Sequence, residues 1–233
     1  ATNRRETAMP VDLPAITAHR IIPVVVLDRA DRADGLARAL VAGGLPVAEV
    51  TFRTDAAAES IAAMAARGDL LVGAGTVLAV EQVHRALAAG ASFIVSPGYS
   101  QAVVDECLGL GVPVLPGVAT ATDMTAAVTS GLSTVKFFPA AALGGPATIR
   151  ALSGPFPGVR FVPTGGIAAD TVGQYLALDR VPAVGGSWMV PTGLVDAGEF
   201  DRVTGLVAEA VDTVRALRPG PGRNDPSETK RGE

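Results

Sequence analysis

Short apolar runs recur at even intervals along this chain, and each is followed by an alanine-rich segment in which apolar residues return with helical spacing. The runs cover residues 21–27, 47–52, 70–74, 92–96, 112–115, 134–138, 160–163 and 183–186. The helical segments cover 32–42, 56–66, 80–89, 101–109, 121–130, 147–152, 171–176 and 200–217, with a further short helix expected over 14–19. Gly43, Gly90 and Gly131 stand just past three of them, where a left-handed residue ends a helix. A strand followed by a helix, repeated eight times, predicts an α/β fold. The regular spacing favours a closed (β/α)8 TIM barrel with a short extra N-terminal helix over an open doubly wound sheet.

With 233 residues, 48% hydrophobic and 18% charged, the chain is a normal size for one such domain, expected over residues 9–217. Residues 1–8 are polar and read as a disordered extension. Residues 218–233 contain Pro-Gly-Pro-Gly and charged residues without periodicity, and read as a disordered tail. No apolar run approaches the roughly 18 residues of a membrane span. The polar start lacks the apolar centre of a secretory signal. A cytoplasmic protein with no membrane partner is therefore expected. A formal net charge of -4, 4% aromatic residues and no basic cluster argue against a nucleic-acid surface. Cys107 is the single cysteine, which excludes an internal disulfide and fits a reducing compartment. Beside Leu108 in a helical segment it reads as a small core residue rather than a nucleophile. His19 and His84 lack metal-ligand spacing and read as surface or helix-packing residues, so no metal site is expected.

In a barrel of this kind the reactive groups sit at the carboxyl ends of the strands. Polar and glycine-rich residues do cluster just after the apolar runs, at 49–54, 73–76, 96–98, 116–117, 136–139, 163–166 and 185–187. Among them Lys136 stands out. The chain holds two lysines, and the other, Lys230, lies in the polar tail. An ammonium can lose its proton when held out of water and then attack a carbonyl, whereas arginine stays charged. The plainer alternative is a lysine whose stem packs while its head reaches water. Strand alternation puts Glu49, Thr51 and Arg53 on one face, and Lys136 and Phe138 on one face of another strand. Glu49 and Arg53 could simply pair. If instead both strands point these groups inward, the amine becomes the nucleophile of Schiff-base chemistry. The iminium is then an electron sink and Glu49 the proton carrier. Thr164-Gly165-Gly166 and Gly185-Gly186-Ser187 follow the seventh and eighth runs, where such barrels often hold phosphate on close backbone N–H groups at a following helix start. Glycine pairs also serve tight turns.

Taken together, Glu-Val-Thr-Phe-Arg-Thr at 49–54, Gly-Ala-Gly-Thr at 73–76, Ser-Pro-Gly at 96–98, Lys-Phe-Phe-Pro-Ala at 136–140, Pro-Thr-Gly-Gly-Ile at 163–167 and Gly-Gly-Ser-Trp at 185–188 resemble the bacterial 2-keto-3-deoxy-6-phosphogluconate (KDPG) and 4-hydroxy-2-oxoglutarate aldolases. The likeness runs over about residues 16–217. It implies a class I, metal-independent aldolase of the Entner-Doudoroff pathway that yields pyruvate and glyceraldehyde 3-phosphate, usually as a homotrimer. By motif, Lys136 matches the Schiff-base lysine, with no separate cofactor, and Glu49 the general acid and base. Arg53 and Thr76 match the pyruvyl-carboxylate residues, with Pro97 and Phe138 as apolar walls. Thr164, Gly165, Gly166, Gly186 and Ser187 would meet the phosphate. Phe52 departs from the pattern, standing where leucine is common. Three alternatives stay open: cleavage of the phosphogalactonate epimer, cleavage of unphosphorylated 4-hydroxy-2-oxoglutarate, and a sugar-phosphate-binding barrel without catalysis.

Overall fold

The computed structural model describes residues 13–217. The proposed terminal extensions, and the start of the expected domain at 9–12, lie outside the described residues. The chain alternates strand and helix: α1 (Leu13–Thr17), β1 (Ile21–Val25), a 3-10 turn at Ala30–Arg32, α2 (Ala33–Ala42), β2 (Val47–Thr51), α3 (Ala57–Ala65), β3 (Leu71–Gly75), α4 (Val80–Ala88) and β4 (Phe93–Val95). It continues through α5 (Gln101–Gly109), β5 (Val114–Leu115), β6 (Gly117–Val118), α6 (Ala121–Thr129), β7 (Thr134–Phe137), α7 (Gly145–Ser153), β8 (Arg160–Pro163), α8 (Val172–Leu176), β9 (Val184–Gly186), α9 (Thr192–Ala197) and α10 (Phe200–Ala216).

All the strand pairings are parallel. They form a six-stranded sheet in the order β5-β4-β3-β2-β1-β9 and a three-stranded sheet in the order β6-β7-β8. The division falls at Pro116, immediately after the run expected at 112–115, and the short β6 beyond it was not expected as a strand. A proline has no N–H to give to a ladder. Its carbonyl still accepts from Lys136 N at 2.9 Å, so the chain crosses from one sheet to the other without a gap in the bonding. At the far side a single parallel bridge joins Thr164 to Gly185.

Helices cover the strands, and the apolar residues between the layers are buried, among them Phe93, Phe137 and Phe161. Phe137 and Phe161 meet edge to face, with ring centroids 6.5 Å apart. Local signals fix several helix starts. Thr120 Oγ1 accepts from Asp123 N at 3.3 Å while Asp123 Oδ2 accepts from Thr120 N at 3.0 Å, a reciprocal cap on α6. Ser100 caps α5. Two features departed from expectation. Helix α7 begins at Gly145, ahead of the expected 147, because Pro146 suits a first turn. Helix α9 follows Pro191 and is too short to give a readable period.

Candidate active site

The carboxyl ends of β2 and β7 bring the two chemically distinctive side chains together. Lys136 Nζ donates to Glu49 Oε1 at 3.0 Å, and the side chains are 6% and 4% exposed. This is an ion pair withdrawn from water. Such burial is costly for each ion alone, so each charge depends on the other. Gly75, at the end of β3, makes room for it: a Cβ there would overlap the Glu49 carboxylate. The Lys136 ammonium also lies 5.4 Å from the centroid of the half-buried Phe138 ring, close enough for a cation–π contribution.

Lys136 opens onto a cavity of about 320 Å³. Arg53, Phe138, Thr164, Gly165, Gly166, Gly186 and Ser187 all line it, so most of the predicted site residues meet in one place. Glu49 stands behind Lys136 rather than on the wall. Thr76 joins through Arg53, whose Nε is 3.4 Å from Thr76 Oγ1. Thr76 has φ 57°, a left-handed conformation that costs a threonine about 1–3 kcal/mol and is seen chiefly where surroundings enforce it. Pro97, like Thr76, is absent from the cavity wall. Its carbonyl instead abuts β6 at Gly117, where a side chain would not fit.

One positional expectation needs correction. Arg53 was read as an inward strand residue, but β2 ends at Thr51, and Arg53 lies in the following turn as an exposed group at the cavity mouth. All of β2 is buried, Thr51 included. The helix expected over 171–176 is found there, but it does little for a phosphate at Gly166. Helix α8 begins only at Val172 and has five residues, too far and too short to supply a field there. The available donors are loop amides. Gly165 and Gly166 take φ values of 99° and 73°, open to glycine and strained for other residues. Among the described residues neither N–H, nor that of Ser187, donates to a backbone carbonyl.

Sequence reasoning missed Val24 and Ile167, which complete the lining. Val24 belongs to an apolar strand that carries no polar signal, and Ile167 is an apolar residue after the glycine pair with no chemical signal of its own. A larger depression of about 620 Å³ between α2 and the start of α10 holds no lysine, cysteine or histidine and lies apart from the ion pair. Cys107 is fully buried, with its thiol pushed up to about 11 by burial and then by the neighbouring Glu106 charge. His84 pairs with Glu106 across α4 and α5 at 3.2 Å, a helix-packing contact.

Known proteins are similar to this chain over most of its length. Residues 14–206 match the model of the KDPG and KHG aldolases. The 2-dehydro-3-deoxy-phosphogluconate aldolase of Treponema pallidum (strain Nichols) is 53% identical over 204 residues, 87% of this chain and 97% of that protein. The KDPG aldolase of Legionella pneumophila, solved with pyruvate captured as a covalent carbinolamine intermediate, is 39% identical with a TM-score of 0.83, covering 86% of this chain and 98% of that one. The corresponding aldolase of Zymomonas mobilis ATCC 29191 is 38% identical with a TM-score of 0.84, covering 89% and 100%. A match that spans the strands bearing Glu49, Lys136 and both glycine pairs makes this chain a member of the KDPG and KHG aldolase family.

Proposed function

We propose that this chain cleaves 2-dehydro-3-deoxy-6-phospho-D-gluconate to pyruvate and D-glyceraldehyde 3-phosphate through a Schiff base on Lys136. The observation that carries the reading is the buried contact of Lys136 Nζ with Glu49 Oε1, 3.0 Å apart at a cavity wall. The Legionella protein captured with a pyruvate carbinolamine supports it.

Glu49 takes a proton from the Lys136 ammonium, and the free amine attacks the C2 ketone. Glu49 returns that proton to the carbinolamine oxygen, which leaves as water, and the iminium forms. Glu49 then takes the C4 hydroxyl proton through water, and the C3–C4 electron pair moves into the iminium as the bond breaks. Glyceraldehyde 3-phosphate departs. The resulting enamine is protonated at carbon and hydrolysed to pyruvate and free Lys136. Arg53, with Thr76 beside it, holds the pyruvyl carboxylate, and Phe138 forms an apolar wall over the amine. Thr164, Gly165, Gly166, Gly186 and Ser187 receive the phosphate through hydroxyls and amides. Pro97 packs against β6, the neighbour of the strand that carries Lys136.

Several further readings belong with this one. The two sheets act as a single closed (β/α)8 barrel, supported by the Lys136 N to Pro116 O bond on one side and the Thr164–Gly185 bridge on the other. Residues 13–217 form one domain, supported by the continuous buried core. A homotrimer is expected in solution, and a monomer mass by light scattering would refute it. A cytoplasmic location fits the single, buried Cys107. No helix among the described residues is long and apolar enough to cross a membrane.

Relative turnover decides the substrate. The phosphogluconate substrate should exceed its galactonate epimer and 4-hydroxy-2-oxoglutarate in kcat/KM. Equal or greater kcat/KM for 4-hydroxy-2-oxoglutarate would overturn the phosphate assignment. Absence of any aldol cleavage, with sugar-phosphate binding retained, would point instead to a binding barrel.

A further inference from the structure

Arg53 carries a positive charge at the cavity mouth, yet it is an exposed side chain in a turn beyond the end of β2. A long exposed side chain on a free turn would sample many rotamers and hold a carboxylate poorly. The chain fixes the backbone on both sides of it. On one side Phe52 N donates to Gly75 O at 2.7 Å, which ties the turn to the end of β3. The Phe52 ring also lies 5.7 Å under the Arg85 guanidinium of α4. On the other side Thr54 Oγ1 donates to Leu27 O at 2.5 Å, tying the turn to the segment after β1. Thr51 repeats that contact lower down, with Oγ1 donating to Val25 O at 3.1 Å. The two residues that flank Arg53 are thus fastened on opposite sides, Phe52 to the end of β3 and Thr54 to the segment after β1. Neither Thr54 nor Phe52 lines the cavity.

We propose that Thr54 is a positioning residue: its hydroxyl, working against the Phe52–Gly75 anchor, holds Arg53 over the cavity and so sets affinity for the carboxylate of the 2-keto acid. The inference rests on the aldolase reading above and adds to it a residue that touches no substrate. Valine at this position preserves volume and removes the donor, whereas serine keeps the donor and loses only a methyl group.

The test measures KM and kcat for cleavage, and the pyruvate concentration that half-saturates borohydride trapping, in the wild-type protein, Thr54→Val and Thr54→Ser. Loss of one partly buried hydrogen bond should raise KM and the half-saturating pyruvate by about three- to tenfold in Thr54→Val, with kcat within about twofold. Thr54→Ser should stay within about twofold of wild type. In an Arg53→Ala background the valine change should raise KM no further, since its effect runs through Arg53. Unchanged KM in Thr54→Val, or an undiminished effect without Arg53, would overturn the inference. If Thr54→Val does not fold, serine variants that lose affinity as severely as Arg53→Ala do the same. Wild-type protein that traps no pyruvate sinks the aldolase reading itself, whereas wild-type trapping with an unaffected Thr54→Val sinks only the positioning role.

Discussion

Glu49 and Lys136 stand 87 residues apart in the chain and meet at 3.0 Å, with both side chains almost wholly removed from water. A contact of this kind is poor value as a stabiliser: a buried ion pair is often no better than well-packed apolar residues, yet removing one partner leaves the other charge stranded. Its presence beside an open cavity is therefore better explained by chemistry than by folding, and that distinction can be measured.

Replacing Lys136 by Met should abolish cleavage and also destabilise the fold by about 3–5 kcal/mol, because Glu49 is left buried without its partner. The double change Lys136→Met with Glu49→Leu should recover that loss, or exceed wild-type stability by about 1–4 kcal/mol, while remaining inactive. Denaturant midpoints check both. A double variant as unstable as the single one would mean that the pair is structural.

Glu49→Gln should still bind pyruvate but turn over about 10²- to 10⁴-fold more slowly, the usual worth of a positioned acid and base. Gly75→Ala reaches the same group from outside, since its Cβ would overlap the carboxylate end of Glu49. Glu49 is buried and held by Lys136, so it cannot move away without straining the pair: kcat should drop by about tenfold or more, and the melting temperature should fall with it. Steady-state kinetics beside a thermal melt reads both effects.

The distal end of the cavity should respond selectively. Ser187→Ala removes a hydroxyl from the wall, and Gly166→Ala places a side chain at φ 73° against Ala141. Both should raise KM for the phosphorylated substrate, by about fivefold or more for the glycine change, and leave trapping with pyruvate alone nearly as it was. Equal effects on both ligands would remove these residues from phosphate recognition.

Cys107 supplies a pH prediction. Its thiol is raised from 9.0 to about 11, first by burial and then by Glu106, so the folded chain keeps this proton when the unfolded chain has lost it. The stability this contributes is complete below about pH 9 and disappears as pH rises through about 11. Iodoacetamide should not label native protein at pH 8 and should label one thiol in denaturant. Cys107→Ala should flatten the fall in denaturant midpoint between pH 9 and 11.

How much of this was legible beforehand depended on range. The alternation of apolar runs and amphipathic segments is local, and it located every strand but β6 and nearly all the helices. Pro116 shows the limit: its position was visible, but a break in the ladder is a property of the partner strands. Lys136 and Glu49 were legible because an amine among arginines and a carboxylate in an apolar run are compositional oddities. Their contact was not, since β2 and β7 belong to different sheets and 87 residues separate the two side chains. Arg53 was placed on the right side of the site and on the wrong element, because alternation carries no information about where a strand stops. Val24 and Ile167 were invisible as site residues because apolar cavity walls look like core.

The decisive measurement is reductive trapping: incubation with pyruvate and borohydride, then mass mapping of the digested protein. The expected result is one adduct per chain on the peptide containing Lys136, absent from Lys136→Ala. An adduct mapped to another residue, or its persistence in Lys136→Ala, would contradict a Schiff base at this site.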